Sequence, residues 1–232
     1  MSTVYDNAAR CLERAAEAAV RSGRRAEDVS LLAASKQNGR ENIREAFRAG
    51  IRIFGENRVQ ELREKLAENA YEGAALHFIG GLQRNKVKYI VGETDLIESA
   101  DSPELIAEIS KRAEALGIRQ RILLEINVGR EPQKSGVLPE ALPDLLGCAS
   151  EMRGVEVAGL MAIPPNEGDA EKKTGYFEKM TKLFVDISGK KYDNVTMNIL
   201  SMGMSRDFEE AIACGATLVR VGSLIFGERI YR

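Results

Sequence analysis

The sequence predicts an α/β fold, a single (β/α)8 TIM barrel with an N-terminal helix. Three observations predict it. Eight short apolar, β-rich runs alternate with longer helical patterns, and such alternation makes right-handed βαβ units on a parallel sheet. The 232 residues suit eight such units, which take about 250 residues in a typical barrel. The competitor, a doubly wound open sheet, carries a glycine fingerprint after its first strand; ASKQNGREN at 34–42 has none. No linker, low-complexity tract or composition shift marks a second domain, so residues 1–232 read as one domain.

The elements follow in order. After the opening helix, VSLLAASK (29–36) is the first strand, and the helical stretch 41–49 ends at Gly50, a C′ glycine. IRIFGEN (51–57) is a strand, RVQELREKLAEN (58–69) a helix, ALHFIGG (75–81) a strand, NKVKYIV (85–91) a helix and TDLIESA (94–100) a strand. Ser102 as N-cap, Pro103 at N1 and Glu104 in the first turn open a helix that Gly117 stops. RILLEINV (121–128) is the fifth strand, followed by the polar loop REPQKSG (130–136) and a helix over 138–152. VEVAGLMAI (155–163) is a strand, 176–187 an amphipathic helix, and NVTMNILSM (194–202) a strand. A helix over 207–214 closes at Gly215, and TLVRVGSLIF (217–226) is the last strand, with a short helix after it.

Composition narrows the function classes. The chain carries 33 Lys+Arg against 35 Asp+Glu, a net charge of −2, which excludes blanket attraction to nucleic acid or anionic lipid. The three cysteines, Cys11, Cys148 and Cys214, are far apart, and His77 is the only histidine. Neither a disulfide framework nor a cysteine or two-histidine metal motif is expected. The N-terminus lacks a signal peptide's apolar core, and no run approaches the roughly 18 apolar residues of a membrane span. The expectation is a cytoplasmic protein with no membrane or nucleic-acid partner.

Chemistry in such barrels gathers at the C-terminal strand ends. There the sequence places Ser35, Lys36, Glu56, Asn57, Glu98, Ser99, Asn127, Ser201, Arg220 and Ser223. The strand period puts Leu32, Ala34 and Lys36 on one face. If that face is inward, Lys36 sits at the barrel mouth, where a desolvated amine can attack a carbonyl to form a Schiff base; otherwise it ends a strand and snorkels into water. Gly203 and Ser205 after strand seven, with Gly222 and Ser223 after strand eight, match the usual phosphate site of barrels, or serve turns and helix caps. An inward Arg220 needs an acceptor: a ligand ring nitrogen, a ligand carboxylate, or a partner inside the barrel. His77 reads as a structural hydrogen-bonding residue.

The runs LLAASK, FGENRVQE, HFIGGLQRNK, INVGREPQKSG, GLMAIP, LSMGMSRDFEEAIACGATLVRVGS and IFGER together resemble the pyridoxal phosphate homeostasis protein family, over residues 29–229. The resemblance implies an alanine racemase-like barrel that binds pyridoxal 5′-phosphate (PLP). It implies that Lys36 holds PLP covalently as an internal aldimine, with the phosphate on Ser201 or Ser205, Gly222 and Ser223. It places Asn57 close to the ring and Arg220 against the pyridine nitrogen, which weakens the ring as an electron sink. One departure is visible. Family members often read SKTK where this chain has Ser35-Lys36-Gln37-Asn38, so the second lysine is absent.

Two functions follow. The first is a PLP carrier acting in vitamin B6 homeostasis, a monomer in transient contact with PLP-dependent client enzymes, with no metal and no catalytic residues of its own. The second is a PLP-dependent amino-acid racemase or decarboxylase. Two-base racemisation needs a second acid/base, which fold relatives take from an added C-terminal domain. This sequence ends at Arg232, soon after the eighth strand, so the carrier is the expectation.

Overall fold

In the computed structural model, which describes residues 3–165, 170–190 and 192–227, eight parallel strands close into a barrel in sequence order. The elements are α1 (Val4–Arg21), β1 (Ser30–Ala34), α2 (Arg40–Arg48), β2 (Ile53–Glu56), α3 (Val59–Ala67), β3 (Ala75–Phe78), β4 (Leu96–Ala100), α4 (Pro103–Ala115), β5 (Gln120–Ile126), α5 (Leu142–Ser150), β6 (Val155–Ala162), α6 (Ala170–Ser188), β7 (Val195–Met204), α7 (Phe208–Ala213), β8 (Leu218–Val221) and α8 (Ser223–Phe226). The expected final segment, with Glu228 and Arg229 of the IFGER motif, lies outside the described residues, as do Met1 and Ser2.

Alternation of side chains along each strand sorts two cores. Outward residues such as Leu31, Phe54, Leu76, Phe78, Ile97 and Ile122 are buried under the helices. Burying each such large side chain contributes about 1.5–3 kcal/mol. Inward residues form two separate clusters inside the barrel. Leu32, Ala34, Ile79 and Leu218 make one. Leu96, Leu123, Ala158 and Met161 make the other.

The opening helix α1 starts on a reciprocal cap. The Thr3 hydroxyl accepts from the Asp6 N–H at 3.1 Å, and Asp6 Oδ2 accepts from the Thr3 N–H at 3.1 Å. Its face of Ala8, Cys11, Ala15, Ala18 and Ala19 is buried. Small residues there let α1 lie close against the barrel's outer layer. Asn7 Nδ2 donates to the Ile225 carbonyl at 3.2 Å, tying α1 to α8.

Five expectations change in detail. Strand eight stops at Val221; Gly222 (φ −121°, ψ −73°) leaves the extended region, and Ser223–Phe226 is already helix. The expected helix over 85–91 is a 3-10 helix, Arg84–Tyr89. Helix α6 begins earlier than 176 and β7 runs two residues longer, to Met204. Ser102 precedes α4 as expected, but its hydroxyl donates to Asp101 Oδ1 (3.3 Å) rather than to the helix.

Strand β6 passes β7 at a register irregularity built on Gly159. Gly159 has φ +156°, and a Cβ there would lie 1.7 Å from the Ile199 carbonyl oxygen. Backbone cannot yield as a flexible side chain can. Gly159→Ala should therefore cost about 2 kcal/mol of stability or more, read as a lowered denaturation midpoint. An unchanged midpoint would show that the two strands part easily.

Candidate functional site

The C-terminal strand ends carry two polar networks and two small cavities. Their positions follow from register. Leu32 on β1 pairs with Arg220 on β8, and Ala33 with Val221. The turn after β1, which holds Lys36, therefore adjoins the turn after β8. The Ala34 carbonyl oxygen lies 3.4 Å from where a Gly222 side chain would begin.

The first network lies inside the barrel. Arg220 is 5% exposed. Its Nη1 donates to Ser201 Oγ (2.5 Å) and its Nη2 to the Ala162 carbonyl (2.9 Å). Ser201 Oγ in turn donates to Glu98 Oε2 at 2.6 Å, and His77 Nδ1 donates to Glu98 Oε1 at 2.7 Å. Arg220 Nη1 also stands 3.6 Å from Glu98 Oε2. Glu98 is fully buried. Burial alone would raise its carboxyl; the His77 hydrogen bond, the charges of His77 and Arg220 and the Ser201 hydroxyl outweigh it and hold the group below the ordinary carboxylate range. Burial also draws the Arg220 guanidinium down, against the pull of Glu98, Glu125 and Asp207.

Serine 201 thus sits deeper than the loop after β7, its hydroxyl held between Glu98 and Arg220. Ser205 is the serine that reaches the turn after strand eight; its Oγ accepts from the Gly222 N–H at 3.1 Å. Ser223 is exposed at the start of α8. Gly203 (φ +90°) is turned toward α7: a Cβ there would lie 2.5 Å from the Ala211 Cβ. Asp207 steadies this loop by accepting the Met204 N–H at 2.7 Å.

The second network lies behind the turn after β1. Glu56 Oε1 accepts from Ser35 Oγ (2.6 Å), Lys65 Nζ (2.6 Å) and Tyr71 Oη (3.2 Å). Burial raises the Glu56 carboxyl, with Lys65 opposing. The Tyr71 hydroxyl is pushed up by burial and then by Glu56.

Lys36, Gln37, Asn57, Arg58 and Glu61 line a cavity of about 210 Å3. Asn57 also lines a neighbouring cavity of about 280 Å3, with Ile79, Glu125, Asn127 and Lys134. Asn57 Oδ1 is buried without a hydrogen-bond partner. An unsatisfied buried acceptor costs about 1–3 kcal/mol, and a ligand donor would relieve it. Its backbone is fixed by Gly80, where a Cβ would lie 2.2 Å from the Asn57 carbonyl oxygen. Glu125 faces the larger cavity, and burial first, then Asp101, raise its carboxyl to about 7.

The eight expected site residues therefore fall into three pairs and two outliers. Lys36 and Asn57 share a cavity, Ser205 and Gly222 share a hydrogen bond, and so do Ser201 and Arg220. Ser223 lies just beyond Gly222, and Gly203 packs under α7. Sequence reading missed the roles of Glu98 and Glu125, although strand parity with Leu96 and Leu123 aims both inward. It also missed Glu61 and Lys65, for which no local signal exists. Among the described residues no cluster of three or more His, Cys, Asp and Glu can hold a metal, and no helix is long and apolar enough to cross a membrane.

The residues present fit a phosphorylated aromatic aldehyde: an amine and an orphaned amide acceptor at one mouth, a buried guanidinium below, and a glycine-serine turn beside it. The family described as alanine racemase, N-terminal domain, matches residues 12–230. The pyridoxal phosphate homeostasis protein of Aquifex aeolicus is 46% identical over 222 residues, covering 96% of each chain. The structure of PipY from Synechococcus elongatus with PLP bound superposes with a TM-score of 0.80 at 35% identity, over 93% of this chain and 99% of PipY. Alanine racemase from Streptomyces lavendulae shares the fold at 16% identity, with a TM-score of 0.72 over 97% of this chain and 58% of its own.

Proposed function

The chain belongs to the pyridoxal phosphate homeostasis protein family, and on that premise we propose that it binds PLP as an aldimine on Lys36 and carries it in vitamin B6 homeostasis. The observation that carries this reading is the shared cavity of Lys36 and the orphaned Asn57 Oδ1, beside the Gly222 turn. The cofactor's aldehyde supplies the electrophile: condensation with the Lys36 amine forms one C=N bond and releases one water.

The chain's own residues do the rest. Lys36 is half-buried at the barrel mouth, and its amine is the nucleophile. The Ser205 and Ser223 hydroxyls would donate to the phosphate at the turn where α8 begins, with the Gly222 N–H holding Ser205 Oγ in place. Arg220 would present a permanently charged donor to the ring nitrogen and so keep that nitrogen unprotonated. Ser201 and Glu98 hold the guanidinium in place, and His77 holds Glu98. Gly203 lets α7 approach the strand end and shapes the loop. A ring held this way stabilises carbanions poorly, which supports a carrier over a catalyst.

The test is covalent trapping. Protein incubated with PLP and reduced with borohydride should carry the pyridoxyl group on Lys36 after peptide mapping, and Lys36→Ala should carry none. A label spread over surface lysines would sink the assignment. The alternative, a PLP-dependent racemase or decarboxylase, draws support from Glu125, an acid/base raised to about 7 in the mouth cavity. Turnover of L- or D-amino acids at enzyme-like rates, lost in Glu125→Gln, would favour it. We place the carrier in the cytoplasm, supported by three free cysteines. It acts as a monomer that meets PLP-dependent client enzymes transiently; light scattering checks the monomer.

A further inference from the structure

We propose that Glu61 and Lys65, one turn apart on α3, are positioning residues that grip the backbone on both sides of Lys36; the proposal rests on the Lys36 reading above. Lys65 Nζ donates to the Ser35 carbonyl at 2.9 Å, just before Lys36. Glu61 Oε1 accepts the Gln37 N–H, just after it. The two side chains are joined to each other at 2.7 Å, and Lys65 is anchored on Glu56 at 2.6 Å. Glu56 also receives the Ser35 hydroxyl. Every group that fixes the turn is thus referred back to one buried carboxylate.

Two further facts give this arrangement a purpose. Gln37 has φ +64°, a left-handed conformation unfavourable for a residue with a Cβ. Something must hold it there, and the Glu61 bond to its N–H is placed to do so. Second, Lys65 is 7% exposed and Glu56 fully buried. A buried ion pair is seldom the most stable way to fill space, since an apolar pair of similar volume often does as well. What it adds is direction: three donors on one ammonium, each with an assigned acceptor. Glu61 lines the same cavity as Lys36, so the clamp borders the site it sets.

The consequence is that the aim of the Lys36 amine is set by α3 as well as by β1. Loosening the grip should slow covalent capture without removing the amine. Misplacing a reacting group by about 1 Å can cost roughly a hundredfold in rate.

The test uses the full-length protein. Glu61→Ala should capture PLP at Lys36 about tenfold or more slowly than wild type, scored by borohydride trapping over time. Glu61→Gln retains an acceptor for the Gln37 N–H and should recover most of the rate. Adding Gln37→Gly to Glu61→Ala should also recover it, because glycine takes the left-handed conformation unaided. Melting temperatures of the ligand-free variants are measured alongside. Capture by Glu61→Ala at the wild-type rate overturns the proposal. So does a slow rate that follows the melting temperature and that neither Glu61→Gln nor Gln37→Gly relieves. Hydrogen exchange at the Gln37 amide, in the absence of PLP, decides the clamp separately: protection should vanish in Glu61→Ala and persist in Glu61→Gln. If wild-type protein traps no PLP while that exchange pattern holds, the Lys36 reading fails and the grip on the turn stands.

Discussion

Arg220→Met should lower the stability of the ligand-free protein by about 3–5 kcal/mol and abolish tight PLP binding. The reasoning starts at Glu98, which is fully buried and carries a charge. Three groups support that charge: His77 at 2.7 Å, Ser201 at 2.6 Å and the Arg220 guanidinium at 3.6 Å. Methionine fills most of the arginine's volume, so little cavity forms. It removes the guanidinium charge, and it frees the Ala162 carbonyl and Ser201 hydroxyl of their donors. Breaking one side of a buried pair leaves the other uncompensated. The check is urea denaturation at neutral pH, with Arg220→Met/Glu98→Gln as the second variant. The double variant should recover part of the loss, since no buried carboxylate is left without its guanidinium. Equal midpoints for wild type and Arg220→Met would mean that the barrel interior is wet enough to solvate Glu98.

The pH dependence of this network has a definite sign. A carboxyl held low in the folded state contributes stability that is present above its unfolded value and is lost as pH falls through the folded value. Glu98 is held low. Its contribution is therefore complete at neutral pH and is lost only in acid below the ordinary carboxylate range.

The barrel was legible in the sequence because its signals are local. Alternation along 29–36 put Leu32 and Ala34 on one face, and both now lie inside the barrel. The overrun at strand eight is also local in origin. TLVRVGSLIF is apolar and β-branched on both sides of Gly222, so period and propensity see one run where the chain turns into a helix. The site was half legible. Polar residues at strand ends pointed to Lys36, Asn57, Ser201, Arg220 and Ser223, and the loops after strands seven and eight to Gly203, Ser205 and Gly222. The partners that fix them come from other strands: His77 from β3, Glu98 from β4, Ser201 from β7 and Arg220 from β8. No spacing along one segment announces such a ring. Lys65 was less legible still, for its burial depends on Glu56 and on the Ser35 carbonyl, 30 residues away along the chain.

Glu125→Gln should stabilise the protein in mild alkali and leave it almost unchanged in acid. Burial, aided by Asp101, raises the Glu125 carboxyl from 4.5 to about 7, with Arg220 opposing. A group raised in the folded state is neutral there while the unfolded chain is already ionised. Stability from this source is complete below the unfolded value and drains away as pH rises to and through about 7. The whole difference amounts to about 3 kcal/mol. Other carboxyls slope oppositely: Asp6 and Asp28, both held low by hydrogen bonds, favour the folded state as pH rises. The informative quantity is therefore the wild-type curve minus the Glu125→Gln curve, measured by urea denaturation from pH 4 to pH 9, roughly the span over which carboxyls and this one titrate. The difference should grow between the two ionisations and then level off. A flat difference would place Glu125 in contact with bulk water. The same charge bears on the ligand, because Glu125 faces the cavity shared with Asn57. A carboxylate formed there repels an anionic phosphate ester in the same mouth, so wild-type affinity for PLP should fall as pH passes about 7. In Glu125→Gln that fall should be shallower, since the group that repels is gone while Lys36, Arg220 and the Gly222 turn remain.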